Sequence, residues 1–124
     1  MSAVTLLPGE TVQHLDDTGI TLSVVVDPQA LVLTGHYPHF PLLPGVFLVD
    51  LAERAVERFA EGHGRALELE AIASTRFHAP VLPGAEVVVD CAFKDGPGAL
   101  RTVTARCVAD GVKAATVRLR YREL

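Results

Sequence analysis

The stretch "GVFLVDLAERAVERFAEG", Gly45 to Gly62, decides how the rest of the chain is read. Between its terminal glycines it has neither proline nor glycine, it is rich in helix formers, and Gly62 and Gly64 supply a stop. It predicts one long helix. Glu53, Arg54, Glu57, Arg58 and Glu61 give the second half a wet face, whereas the first half is apolar nearly all round, so the N-terminal half is expected to be the buried half.

Upstream, "GITLSVVVDP" (residues 19–28) is a β-branched run closed by Asp-Pro and reads as a strand, with "PQAL" as a single helical turn after it. Downstream, "ALELEAIASTRF" (66–77), "AEVVVDCAFKD" (85–95), "ALRTVTARCVAD" (99–110) and "VKAATVRLRYREL" (112–124) all have strand character. "KDGPGA" and "ADG" separate the last three as hairpin-type turns, which makes them an antiparallel meander. One long helix with about five antiparallel strands is an α+β domain spanning residues 1–124. "PLLPG" (41–45) and "PVLPG" (80–84) look alike, but one feeds the helix and the other a strand, so they are proline-stiffened entries rather than a repeat.

Bulk properties narrow the function. With 124 residues, 49% hydrophobic and 21% charged, the chain can bury one core but not two. Its net charge is −4 and its Lys and Arg are dispersed, which argues against nucleic acid or a membrane surface and for a small molecule or protein partner. No apolar run approaches the ~20 residues of a membrane span, and "MSAVTLLPGE" lacks a basic leader, so a cytoplasmic location is expected. Cys91 and Cys107 sit in strand-like stretches without CxxC spacing and read as buried reduced thiols, with no metal site expected.

Between the first strand and the helix lies "GHYPHFPLLPGVFLVD" (35–50), an irregular proline-rich loop delivered onto an apolar element that carries a carboxylate, Asp50. Among Val46, Phe47, Leu48, Val49, Leu51 and Ala52 such a group has little water nearby, and burial raises its pKa unless a partner offsets it. A poised acid is one reading; an acid near a helix start that favours the dipole is the other.

Gly35-His36-Tyr37-Pro38, then Pro41-Leu42-Leu43-Pro44-Gly45, then an acid at Asp50, resembles the active-site segment of the bacterial β-hydroxyacyl-acyl-carrier-protein dehydratases of the FabZ and FabA type. "TRFHAPVLPGAEVVV" (75–89) is similar to the second signature of that family. The resemblance covers about residues 20–121 and implies a hotdog fold, an antiparallel sheet wrapped around one central helix, with two subunits paired edge to edge.

It also implies chemistry. Dehydrating a 3-hydroxyacyl thioester needs a base for the C2 proton, donors for the oxygen that gains charge, and an acid to carry off the hydroxyl. His36 fits the base, and Asp50 the acid. Pro44 has no N–H, so the amides of Gly45 and Val46 at the helix start are the oxyanion candidates. Phe77 either walls an acyl tunnel or belongs to the core. Arg118 and Arg120, alternating with Arg122 on one strand face, and Arg76 either greet an acidic carrier protein or form a solvated face. The expected partners are acyl carrier protein, which presents the substrate on a phosphopantetheine arm, and a second copy of the chain or a paralogue. No dissociable cofactor is expected.

Asp50 stands where the FabZ branch usually carries Glu, and two further departures from the FabZ pattern stand out. Arg54 replaces a common Gln one turn beyond Asp50, where an i,i+4 ion pair would hold the acid ionised. Phe40 replaces a frequent His. Both motivate an alternative, a catalytically impaired partner subunit; a hotdog thioesterase ranks lower. The FabA branch carries Asp at the Asp50 position but has longer chains, which favours simple dehydration without isomerisation. His39 matches no catalytic position; His14 and His78 read as loop residues and His63 as a helix C-terminal residue.

Overall fold

A computed structural model of the chain describes residues 9–27 and 45–124. The "PQAL" turn and the loop carrying His36, His39, Phe40 and the prolines at 38, 41 and 44 lie outside the described residues. The described elements run β1 (Thr11–Leu15), β2 (Gly19–Val25), α1 (Gly45–His63), β3 (Leu67–Phe77), β4 (Glu86–Asp95), β5 (Leu100–Ala109) and β6 (Val112–Glu123). The strands form one sheet in the order β1-β2-β4-β5-β6-β3, each neighbouring pair antiparallel. α1 therefore carries the chain across the sheet from β2 to β3 at the far edge, and the predicted meander of β4, β5 and β6 fills the span between.

The two periodicities meet at the helix–sheet interface. On one sheet face lie Ile20, Leu22 and Val24 of β2, Val87, Val89 and Cys91 of β4, Val103, Ala105 and Cys107 of β5, and Val117, Leu119 and Tyr121 of β6, all buried. Against them α1 buries Leu48, Leu51, Ala52, Ala55, Val56, Phe59 and Ala60, a stripe at helical spacing. Burial thus follows the stripe along the helix, not its N-terminal half: Val46 in the first turn is 65% exposed, while Phe59 near the other end is fully buried. The Phe59 ring stacks on Phe93 at 3.8 Å and on His63 at 4.3 Å, and burying such a side chain stabilises by about 1.5–3 kcal/mol.

Turns and termini are fixed locally. Asp110 (φ 47°) and Gly111 (φ 80°) are both left-handed, as a two-residue type I′ hairpin between β5 and β6 requires. Past the helix end, Arg65 grips the Glu123 carboxylate with two N–H donors at 2.8 and 3.1 Å, and Arg101 joins it at 3.0 Å, tying the start of β3 to the end of β6.

One strand more is present than the patterning predicts. β1, "TVQHL", is exposed throughout, so no alternation betrays it. Its hairpin with β2 is closed by Asp16, whose Oδ1 accepts the Thr18 N–H at 2.9 Å. Cys91 and Cys107 are buried free thiols, and burial pushes both up to about 12. No described helix is long and apolar enough to cross a membrane.

Candidate active site

The α1 start and the β3 end come together. A Cβ on Gly45 would stand 2.7 Å from both Cε1 and Cζ of Phe77, so the aromatic ring lies directly on the helix start. Around this contact a cleft of about 440 Å³ is lined by Gly45, Val46, Leu48, Phe77, His78 and Val81, among others. The first amides of a helix have no intrahelical partner and carry the positive end of its dipole, so an oxygen gaining negative charge is stabilised at such a place. Phe77 is 53% exposed and belongs to the wall of this cleft rather than to the core.

Asp50 opens elsewhere. It is half-buried on α1 and lines a second cleft of about 400 Å³ with Glu53, Glu57, Leu67, Glu68, Leu69 and Tyr121. Desolvation raises its carboxyl above the ordinary value of 3.8, Arg54 pulls it down, and Glu10 acts against Arg54. Glu53 and Glu57 are raised for the same first reason, burial, with repulsion from Asp50 added.

The predicted Arg54–Asp50 ion pair is replaced by another. Arg54 donates through Nη2 to Oε1 of Glu10, just ahead of β1, and both side chains are largely buried. Arg58 Nη2 stands 3.8 Å from the same Glu10 oxygen. Local helix spacing makes Asp50 the nearest candidate, but a carboxylate brought in from a distant segment takes the guanidinium. Glu10 carries no sequence signal, because its partner is 44 positions away and no periodic pattern links the two.

On the outer face of the sheet a third cleft, about 430 Å³, is lined by Arg76, Arg106, Lys113 and Arg118 with His78 and the hydroxyls of Ser74, Thr75, Thr104 and Thr116. No carboxylate lines it, and none of the four cations forms an ion pair among the described residues. Arg76 and Arg118 are brought together here; Arg120, two positions on along β6 opposite Ala71 and Thr102, is outside the lining, and Arg122 pairs with Glu68 at 3.6 Å. Arg106, Lys113 and His78 join a cluster that strand alternation alone does not reveal. His78 also lines the Gly45–Phe77 cleft, so the two clefts adjoin. His14 bonds Asp16 at 2.8 Å, and His63 Nδ1 lies 2.9 Å from the Phe59 carbonyl, as its place at the helix C-terminus suggests. His36 lies outside the described residues.

The family model described as "ApeI-like: ApeI dehydratase" matches residues 11–115. The chain belongs to the ApeI-like dehydratase family. It is also similar to a 3-hydroxyacyl-[acyl-carrier-protein] dehydratase FabZ of Streptococcus pyogenes serotype M5, 32% identical over 91 residues. That match spans 70% of this chain and 66% of the relative's length, just short of two thirds. A FabZ of Streptococcus uberis is 28% identical over 120 residues, 94% of this chain and 85% of the relative. Among solved structures, the dehydratase heterocomplex ApeI:P from Xenorhabdus doucetiae superposes with a TM-score of 0.74 at 15% identity, covering 97% of this chain and 83% of that one. One long helix packed against an antiparallel sheet, with these neighbours, is the hotdog fold expected from the two signatures.

Proposed function

We propose that the chain removes water from a 3-hydroxyacyl thioester carried on acyl carrier protein, leaving the trans-2-enoyl product, in fatty-acid or polyketide synthesis in the cytoplasm. The observation that carries this reading is Asp50: a carboxyl on the helix whose start opens onto the Phe77 cleft, held where desolvation favours its protonated form. His36 takes the C2 proton, and the Gly45 and Val46 amides receive the thioester oxygen as charge gathers there. The C3–O bond then breaks, Asp50 gives its proton to the departing hydroxyl, and a C2=C3 double bond remains. No metal or cofactor enters this balance; the pantetheine arm arrives with the substrate.

Because Asp50 and Gly45 open onto different clefts of one chain, the reading calls for two subunits, with the base and oxyanion donors from one and the acid from the other. β3 supports such pairing: among the described strands it lies at an edge, with Leu69, Ile72 and Phe77 exposed, an arrangement that invites a neighbouring strand. The cation-lined cleft beside the Phe77 mouth is the surface we assign to the acidic carrier protein, with Arg76 and Arg118 inside it and Arg120 at its margin.

The alternative, an impaired subunit that pairs with an active paralogue, gains from the likeness to a heterocomplex. It loses from Glu10, since the Arg54 charge that motivated it is already engaged. Mass spectrometry of a 3-hydroxyacyl carrier protein incubated with the purified chain separates the readings. Loss of one water, abolished in a folded Asp50→Asn variant, supports the dehydratase. Loss of the acyl group would point to a thioesterase, and an unchanged substrate over several chain lengths to the impaired subunit.

A further inference from the structure

We infer that Glu10 is a positioning residue for Asp50: by holding the Arg54 guanidinium against itself, it keeps that charge from settling on the acid one helical turn away. The inference rests on the proposed role of Asp50, but its test reads the carboxyl directly.

The geometry is unusual for a helix. Residues four apart lie ~5–6 Å from each other at Cβ, so an Asp followed by an Arg at i+4 pairs readily on an open helix face. Here Arg54 instead reaches Glu10, and the two side chains are only 11% and 15% exposed, where charges interact more strongly than in water. Arg54 Nη1 and Glu10 Oε2 are buried without a hydrogen-bond partner among the described residues. The pair thus rests on a single contact, and Glu10 is the group that decides where the guanidinium points.

The surroundings of Asp50 give that choice its effect. Its cleft presents Glu53 and Glu57 from α1, Glu68 from β3 and Tyr121 from β6. Against these acids and a phenol, Arg54 is, among the described residues, the cation whose field reaches Asp50, and Glu10 opposes it. Arg58, the other cation near Glu10, stays at 3.8 Å from the same oxygen. If Arg54 swung back to Asp50, the carboxyl would be held ionised and could not deliver a proton at neutral pH.

The test follows the Asp50 carboxyl carbon by NMR in protein labelled at aspartate Cγ, the Asp50 signal being identified by its loss in Asp50→Asn. Glu10→Gln should lower its titration midpoint below wild type and Arg54→Gln should raise it, while Glu10→Gln/Arg54→Gln should lie at or only slightly below Arg54→Gln, because Glu10 acts through the guanidinium and only its weaker direct field remains once that is gone. A Glu10→Gln midpoint at or above wild type, or a drop from Glu10→Gln that is as large in the Arg54→Gln background as in wild type, overturns the inference. Should Glu10→Gln fail to fold around its unpaired arginine, Glu10→Asp, which keeps the charge on a shorter arm, should lower the midpoint in the wild-type background and leave it unmoved in Arg54→Gln; the same shift in both backgrounds, or none in either, overturns the inference. The alkaline limb of the pH–rate profile is read alongside. The predicted order of midpoints with an unmoved limb upholds the role of Glu10 and removes Asp50 from catalysis.

Discussion

Replacing Gly45 by alanine puts a methyl group where the Phe77 ring lies. The new carbon would stand 2.7 Å from Cε1 and Cζ, whereas carbon atoms in ordinary contact keep ~3.5–4.0 Å, so the ring must retreat by about 1 Å. The atoms struck are the far end of a side chain that is 53% exposed, and the ring can swing outward. Alanine also favours the helix by up to ~1 kcal/mol relative to glycine, so stability should change by no more than about that amount in either direction. Turnover has less room. A displacement of ~1 Å at a positioned group costs up to ~10²-fold, and here the displaced group walls the cleft onto which the proposed oxyanion donors open. Gly45→Ala should therefore lose about 10- to 100-fold in kcat/KM on a 3-hydroxyacyl carrier protein while its Tm moves by only a few degrees. In a Phe77→Ala background the same substitution meets no ring and should cost little more. Additive losses in that double-mutant cycle, or full activity in Gly45→Ala, would refute the argument that the contact between glycine and ring sets the site.

Glu53 is raised by burial and by Asp50, and a carboxyl raised in the folded state loses stability as pH climbs from its ordinary value through the raised one. Glu53→Gln should consequently raise Tm at neutral pH, with the gain fading as pH falls below the ordinary 4.5; a gain that persists in acid contradicts this. If the site is shared between subunits, inactive His36→Ala and Asp50→Asn chains unfolded and refolded together should recover about a quarter of wild-type turnover, since half of randomly paired dimers are mixed and each holds one intact site. Mixed dimers seen by native mass spectrometry without recovery would exclude the shared site.

What could be read in advance divides along a physical line. α1, β2 and the β4–β6 meander bury one face against another, so period 3.6 and period 2 mark them, and Asp110-Gly111 marks its hairpin by residue type alone. No residue of β1 is buried, and the strand left no pattern. For the proposed site, the motif spacing points to Asp50 and the helix start, because both are marked by their neighbours in sequence. The partner of Arg54, the position of Phe77 over Gly45 and the grouping of Arg106 and Lys113 with Arg76 and Arg118 depend on how distant strands register, which no local rule carries. The exposure of Val46 has the same origin, since an apolar residue is buried only where the sheet lies beneath it.

β3 is made directly after α1, yet among the described strands it bonds only to β6, which is made after β4 and β5. During synthesis the strand therefore emerges without its neighbour and stays bare until nearly the whole domain has been translated. Pairings between segments so far apart in sequence are slow to form, and an unpaired strand is a template for association with other chains in the meantime. Glu68, Glu70 and Arg76, spaced along β3, are the charges that guard it over this interval. Neutral residues at those positions would threaten the yield of soluble chain on the ribosome before they altered the finished fold.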